Sequence, residues 1–132
     1  MNTILVVDDE PNYLIVLFEL LKEEGFEVLT AQRGEEGLKI VEDVDLDIVL
    51  TDMRMPGMDG ATMLANIKEL NPNVSTILLT GHADFEFGGA AALQSGKLFQ
   101  ILTKPCPPEK LKNAIEEAIQ EYHYKAGDEP DS

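Results

Sequence analysis

Short aliphatic runs alternate with longer amphipathic ones along this chain. "TILVVD" (Thr3–Asp8) has four apolar residues in succession and predicts a strand buried on both faces. "NYLIVLFELLKEEG" predicts a helix, because Leu14, Leu17, Phe18 and Leu21 recur at helical spacing and make one stripe. Pro11 suits its first turn, where a missing N–H costs nothing, and Gly25 suits its end. "FEVLTA" predicts a second strand, "GEEGLKIVED" a shorter second helix, and "DIVLTD" (Asp47–Asp52) a third strand that again ends on an acid. "GATMLANIKELNP" is a third helix, stopped near Asn71-Pro72. "VSTILLT" (Val74–Thr80) is a fourth strand, and "LFQILT" a fifth. Between them "DFEFGGAAALQSGK" predicts a fourth helix, weakened because Gly88 and Gly89 each cost about 1 kcal/mol in a helix interior. "PPEKLKNAIEEAIQEYHY" closes the pattern, with Leu111, Ala114, Ile115, Ala118, Ile119 and Tyr122 on an apolar face. The tail "KAGDEPDS" has nothing with which to build a core and is expected to be disordered.

Five strands alternating with five helices predict a doubly wound α/β domain with a parallel sheet and helices on both faces. In such sheets ligands bind at the carboxyl ends of the strands, near a topological switch point. The pattern contains no repeat and no sign of a second domain.

Composition changes this picture little. The chain has 132 residues, 44% apolar and 27% charged, as an ordinary globular domain does. The formal net charge of -15 argues against gripping nucleic acid or an anionic membrane. Cys106 is the single cysteine, so an intramolecular disulfide is excluded, and nothing local would activate it as a nucleophile. The N-terminus lacks the basic region of a signal peptide, and no apolar run reaches the roughly 20 residues of a membrane span. These features set the expectation of a cytoplasmic protein.

The chemistry lies where the strands end. "LVVDDEP" drives an aliphatic strand into Asp8, Asp9 and Glu10. The third strand ends in Asp52, the fourth in Thr80, and the fifth in Lys104-Pro105. A parallel sheet puts these ends on one rim, where carboxylates, a hydroxyl and an ammonium share a pocket. Clustered carboxylates repel and raise one another's pKa unless a cation offsets them. A hard divalent ion such as Mg²⁺ suits the acids, and Lys104 can pair with a carboxylate or a phosphate.

The set "VVDDEP", "LTDMRMPGMDG", "ILLTGHA" and "ILTKPCP", in this order, resembles the receiver domain of two-component response regulators over roughly Asn2 to Tyr122. The resemblance implies a flavodoxin-like (βα)5 sandwich with strand order 2-1-3-4-5, a domain at residues 1–124, and a tail or linker at 125–132. It implies Asp52 as phosphoacceptor, a carboxylate nucleophile taking a phosphoryl group from a phosphohistidine on a histidine kinase. Asp9, Asp52 and the backbone carbonyl of Arg54 would bind Mg²⁺ directly, with Mn²⁺ as a substitute, and Asp8 mainly through a metal-bound water. Lys104 would pair with Asp52 at rest and with the phosphoryl group afterwards. Thr80 would turn its hydroxyl toward the phosphoryl oxygen. Lys104-Pro105 resembles the family's cis peptide. Pro56, Gly57 and Gly60 match the turn after the acceptor, in the family as in any turn.

Several positions depart from the family pattern. Ile101 stands where receivers usually carry Tyr or Phe, which puts the aromatic switch in doubt. Phe99, on the same strand face by period two, is one substitute, and simple packing of both residues is the other reading. Arg54 and His82 occupy positions that tune acyl-phosphate lifetime in the family. They are equally readable as solvated rim side chains. The adjacent glycines suit a switching fourth helix or a merely unoptimised one. "SGKLFQILTKPC" is similar to receivers attached to signalling-enzyme domains.

The resemblance thus implies a phosphorylated signalling domain, not an enzyme with a separate substrate. Its partners would be a histidine kinase or phosphotransfer protein and an effector bound at the helix 4–strand 5–helix 5 face, with a homodimer as a further possibility. The alternatives are a receiver that binds partners without phosphorylation and a haloacid dehalogenase-type phosphatase. The intact set Asp8, Asp9, Asp52, Thr80 and Lys104 opposes the first. The second places its nucleophile after strand 1 as Asp-x-Asp, where this chain has Asp-Asp-Glu.

Overall fold

A computed structural model describes residues 2–52, 57–58, 60–80, 100–104 and 106–125. The elements are β1 (Thr3–Val7), α1 (Pro11–Glu23), β2 (Glu27–Ala31), α2 (Gly34–Asp43), β3 (Ile48–Asp52), α3 (Gly60–Leu70), β4 (Ser75–Thr80), β5 (Gln100–Thr103) and a long C-terminal helix, here α4 (Pro108–Lys125). All strands pair in parallel, in the order β2-β1-β3-β4-β5. This is the flavodoxin-like arrangement that the family resemblance implies. The fourth helix expected around Gly88 and Gly89 lies outside the described residues, as does the tail from residue 126.

The alternation of side chains along each strand splits the core in two. Ile4, Val6, Ile48, Leu50, Ile77, Leu79 and Leu102 face the side covered by α1 and α4. There Leu14, Leu17 and Leu21 supply the α1 stripe, with Phe18 partly buried at its margin. Leu5, Val7, Val49 and Leu78 face the other side, covered by α3 through Met63, Leu64 and Ile67. α2 also lies on this side, close to β1. A Cβ on Gly37 would sit 3.1 Å from Met63 Sδ and 3.2 Å from Val7 Cγ2, so a residue without a side chain sets that approach.

Burial on both faces holds for β1, β3 and β4. It fails for the sheet's two edges. β2 exposes Glu27 and Thr30, and β5 is fully buried only at Leu102. An edge strand has one hydrogen-bonded neighbour instead of two, and its outer flank reaches solvent. Among the described residues no helix is long and apolar enough to cross a membrane.

The loop from α1 to β2 shows how local chemistry aims a strand. Gly25 has φ +94°, its N–H donates to Lys22 O, and the Phe26 N–H donates to Leu21 O. This is a Schellman closure of the helix, which wants glycine at that position. No atom lies within 4 Å of the place a Gly25 Cβ would take, so an alanine there would meet backbone strain alone. Gly25→Ala is expected to lower stability by about 1–2 kcal/mol, read as a lower urea midpoint with an unchanged m-value.

Candidate functional site

Register brings the site together. Val7 pairs with Thr51, so Asp8, one residue beyond β1, is level with Asp52 at the end of β3. Asp52 pairs with Leu79, placing Thr80 one step further out, and Thr80 pairs with Thr103, one residue before Lys104. The Lys104 N–H donates to Thr80 O at 2.8 Å, which ties the end of β5 to the end of β4.

Asp8 is the anchor. Its side chain is only 2% exposed. One carboxylate oxygen, Oδ1, accepts the Glu10 N–H at 2.9 Å, a local turn that bends the chain from β1 toward α1. The other, Oδ2, accepts Lys104 Nζ at 3.0 Å. The same ammonium lies 3.3 Å from Asp52 Oδ1, so Lys104 bridges the two acids and stands nearer to Asp8 than to its expected partner Asp52. Asp9 is exposed and offers its carboxylate from the open side. One oxygen each from Asp8, Asp9 and Asp52 lie within 4.8 Å of one another.

Among the described residues, three carboxylates meet one ammonium at this rim. Burial raises the Asp52 pKa above the ordinary 3.8; Lys104 opposes this, and the Asp8 charge adds to it. Burial also disfavours the charge on Lys104, but its hydrogen bond to Asp8 and the Asp52 carboxylate outweigh that and raise its pKa. The ammonium therefore stays charged, while Asp52 is a carboxylate whose ionised form burial disfavours. An all-oxygen donor set with unbalanced charge is the chemistry that a hard divalent cation fits. The acidic cluster could hold such an ion.

Thr80 is fully buried at the mouth of β4, beside the site. Ile101 is half-buried and packs against the cluster beneath α2 and α3, the packing alternative for that position. Arg54, His82, Phe99 and Pro105 lie outside the described residues. One neighbour carried no sequence signal. Tyr13, in the first turn of α1, places its ring centroid 4.7 Å from Lys104 Nζ. Burial pushes its phenol pKa up, so the ring is neutral at physiological pH.

Residues 4–116 match the response regulator receiver domain family. The transcriptional regulatory protein GlrR of Escherichia coli is 38% identical over 89% of this chain, which covers 26% of that relative. The chain spans about a quarter of the length of the curated relatives it matches. Among solved structures, a response regulator receiver domain protein from Clostridium thermocellum superposes with a TM-score of 0.86 at 37% identity, covering 95% of this chain and 99% of that one. The response regulator TrrA of Thermotoga maritima, in complex with Mg(2+)-BeF, superposes at 0.79 with 35% identity, covering 89% and 99%. A family match over most of the chain, with the acids, the threonine and the lysine meeting at one rim of a 2-1-3-4-5 sheet, makes this chain a member of the response regulator receiver domain family.

Proposed function

We propose that the chain is a phosphorylation-controlled signalling domain in which Asp52 accepts a phosphoryl group from the phosphohistidine of a histidine kinase or phosphotransfer protein. The observation that carries this reading is the bridge of Lys104 across Asp8 and Asp52, at 3.0 and 3.3 Å, inside a three-carboxylate cluster. An Asp52 oxygen attacks phosphorus, the phosphorus–nitrogen bond to the imidazole breaks, and an acyl phosphate forms. Transfer of this kind depends mainly on positioning and charge neutralisation. Lys104 supplies a fixed positive charge that can pass from the Asp52 carboxylate to the phosphoryl oxygens. Thr80, buried beside the acceptor, offers its hydroxyl to the same group.

Asp8, Asp9 and Asp52 would hold Mg²⁺, or Mn²⁺ in its place, with the Arg54 carbonyl as a further donor. When bound, the ion offsets charge on the transferring group. The complex of the relative TrrA with Mg(2+)-BeF supports this assignment by analogy. The domain assists its own modification and does not turn over a separate substrate. We assign residues 1–124 to it and leave 125–132 as tail or linker. The effector would engage the helix 4–strand 5–helix 5 face. Retention of every acidic and basic site residue disfavours the unphosphorylated alternative.

Intact mass after incubation with acetyl phosphate and Mg²⁺ tests the proposal. A single phosphoryl adduct that needs Mg²⁺ and is lost in Asp52→Asn is expected. An adduct that survives that substitution would move the acceptor elsewhere.

A further inference from the structure

The ammonium of Lys104 sits on a flexible four-carbon stem, and its side chain is 30% exposed. Two carboxylates hold it from the inner side, yet nothing in those contacts prevents the head from swinging to solvent or settling on Asp8 alone. A third contact closes that freedom. We propose that Tyr13 is a positioning residue for Lys104: its ring face, 4.7 Å from the ammonium, keeps the lysine head between Asp8 and Asp52 for phosphoryl transfer. The proposal rests on the reading of Asp52 as the acceptor.

The physical case has two parts. The face of an aromatic ring is negative and attracts a cation without acting as a strong hydrogen-bond acceptor. Lys104 is therefore restrained while its N–H groups stay available, first to Asp8 and Asp52 and then to incoming phosphoryl oxygens. The ring is itself held in place. Tyr13 is the third residue of α1 and packs, half-buried, against the core cluster shared by α1, α4 and the sheet. Cys106, two residues past Lys104, packs against the same cluster. The first turn of α1 and the segment after β5 thus meet beside the pocket, and the ring lies at that junction.

The test uses Tyr13→Leu, which removes the aromatic face but keeps an apolar body, and Tyr13→Phe, which keeps the face and removes only the hydroxyl. In lysine-labelled protein, the ε-methylene NMR signal of Lys104, assigned by its loss in Lys104→Arg, is expected upfield of the other lysines through the ring current. Tyr13→Leu should return it to the ordinary position, and Tyr13→Phe should leave it shifted. The initial rate of adduct formation from acetyl phosphate and Mg²⁺ should fall about three- to ten-fold in Tyr13→Leu and recover in Tyr13→Phe. An unshifted Lys104 signal in the wild type overturns the proposal, even if Tyr13→Leu does not fold. So does a Tyr13→Leu rate equal to wild type, or a Tyr13→Phe rate as slow as Tyr13→Leu, which would assign the effect to the hydroxyl. If the wild type forms no adduct, the acceptor reading fails first, and the Lys104 signal still decides whether Tyr13 holds the lysine.

Discussion

Lys104→Met is expected to destabilise the domain by about 2–4 kcal/mol at pH 7 without divalent cations. The substitution removes the only positive group in the contacts described for Asp8 and Asp52, and Asp8 is almost wholly buried. Breaking a buried pair leaves its partner as an uncompensated charge; the lower end of the range reflects the partial exposure of the lysine itself. Two dependences separate this cause from lost packing. The deficit should shrink as pH falls through the carboxylate range, because protonated acids no longer repel. It should also shrink on adding Mg²⁺, which substitutes for the missing positive charge. Urea unfolding at pH 7 and pH 4.5, with and without Mg²⁺, reads both. A deficit of equal size in all four conditions would mean that the methylene stem matters more than the charge. In the same variant, adduct formation should slow by about a hundred-fold, since a positioned charge is lost at the moment of transfer.

Asp52→Asn should act in the opposite direction on stability while abolishing the adduct. The pKa of Asp52 is raised in the folded protein above its ordinary 3.8, mainly by burial. Between the unfolded and folded values the native state binds more protons than the unfolded one, so stability falls as pH rises through that window. Above the folded value the full penalty of the ionised group is present. The neutral amide avoids it. Tm at pH 7 without divalent cations is therefore expected to rise, and the gain should disappear below the ordinary carboxylate range. Adding Mg²⁺ should stabilise the wild type more than the variant and narrow the gap. Scanning calorimetry across pH 3–8 measures all of this. A variant less stable than wild type at pH 7 would show that the Lys104–Asp52 contact outweighs the cost of burying the acid.

Parallel pairing was legible because β1, β3 and β4 carry aliphatic runs and because helical spacing fills the intervals between them, while the order 2-1-3-4-5 came from the family resemblance. Strand ends were legible to within a residue for a similar reason, since a core strand stops where the chain turns polar. The edge strands were less readable. In "FEVLTA" and "LFQILT" a polar residue, Glu27 or Gln100, interrupts the apolar run, and these strands take the two edges of the sheet, where burial is partial.

The chemistry divides along the same line. Which residues meet at the rim was legible in the sequence itself: acids immediately after β1, an acid closing β3, a hydroxyl closing β4 and a lysine after β5. Residue type and strand-end position are local properties, and in a parallel sheet they suffice to place groups on one rim. How those groups share charge was decided only in three dimensions. Lys104 is 96 residues from Asp8, and the register of β1, β3, β4 and β5 determines that its ammonium reaches Asp8 at 3.0 Å as well as Asp52 at 3.3 Å. The ring of Tyr13 over that ammonium had no separate signature, because a tyrosine in an amphipathic helix reads as packing. Distances of a few tenths of an ångström, burial and the direction of a side chain are products of packing between distant segments, and they set the pKa of Asp52 and the hold on Lys104.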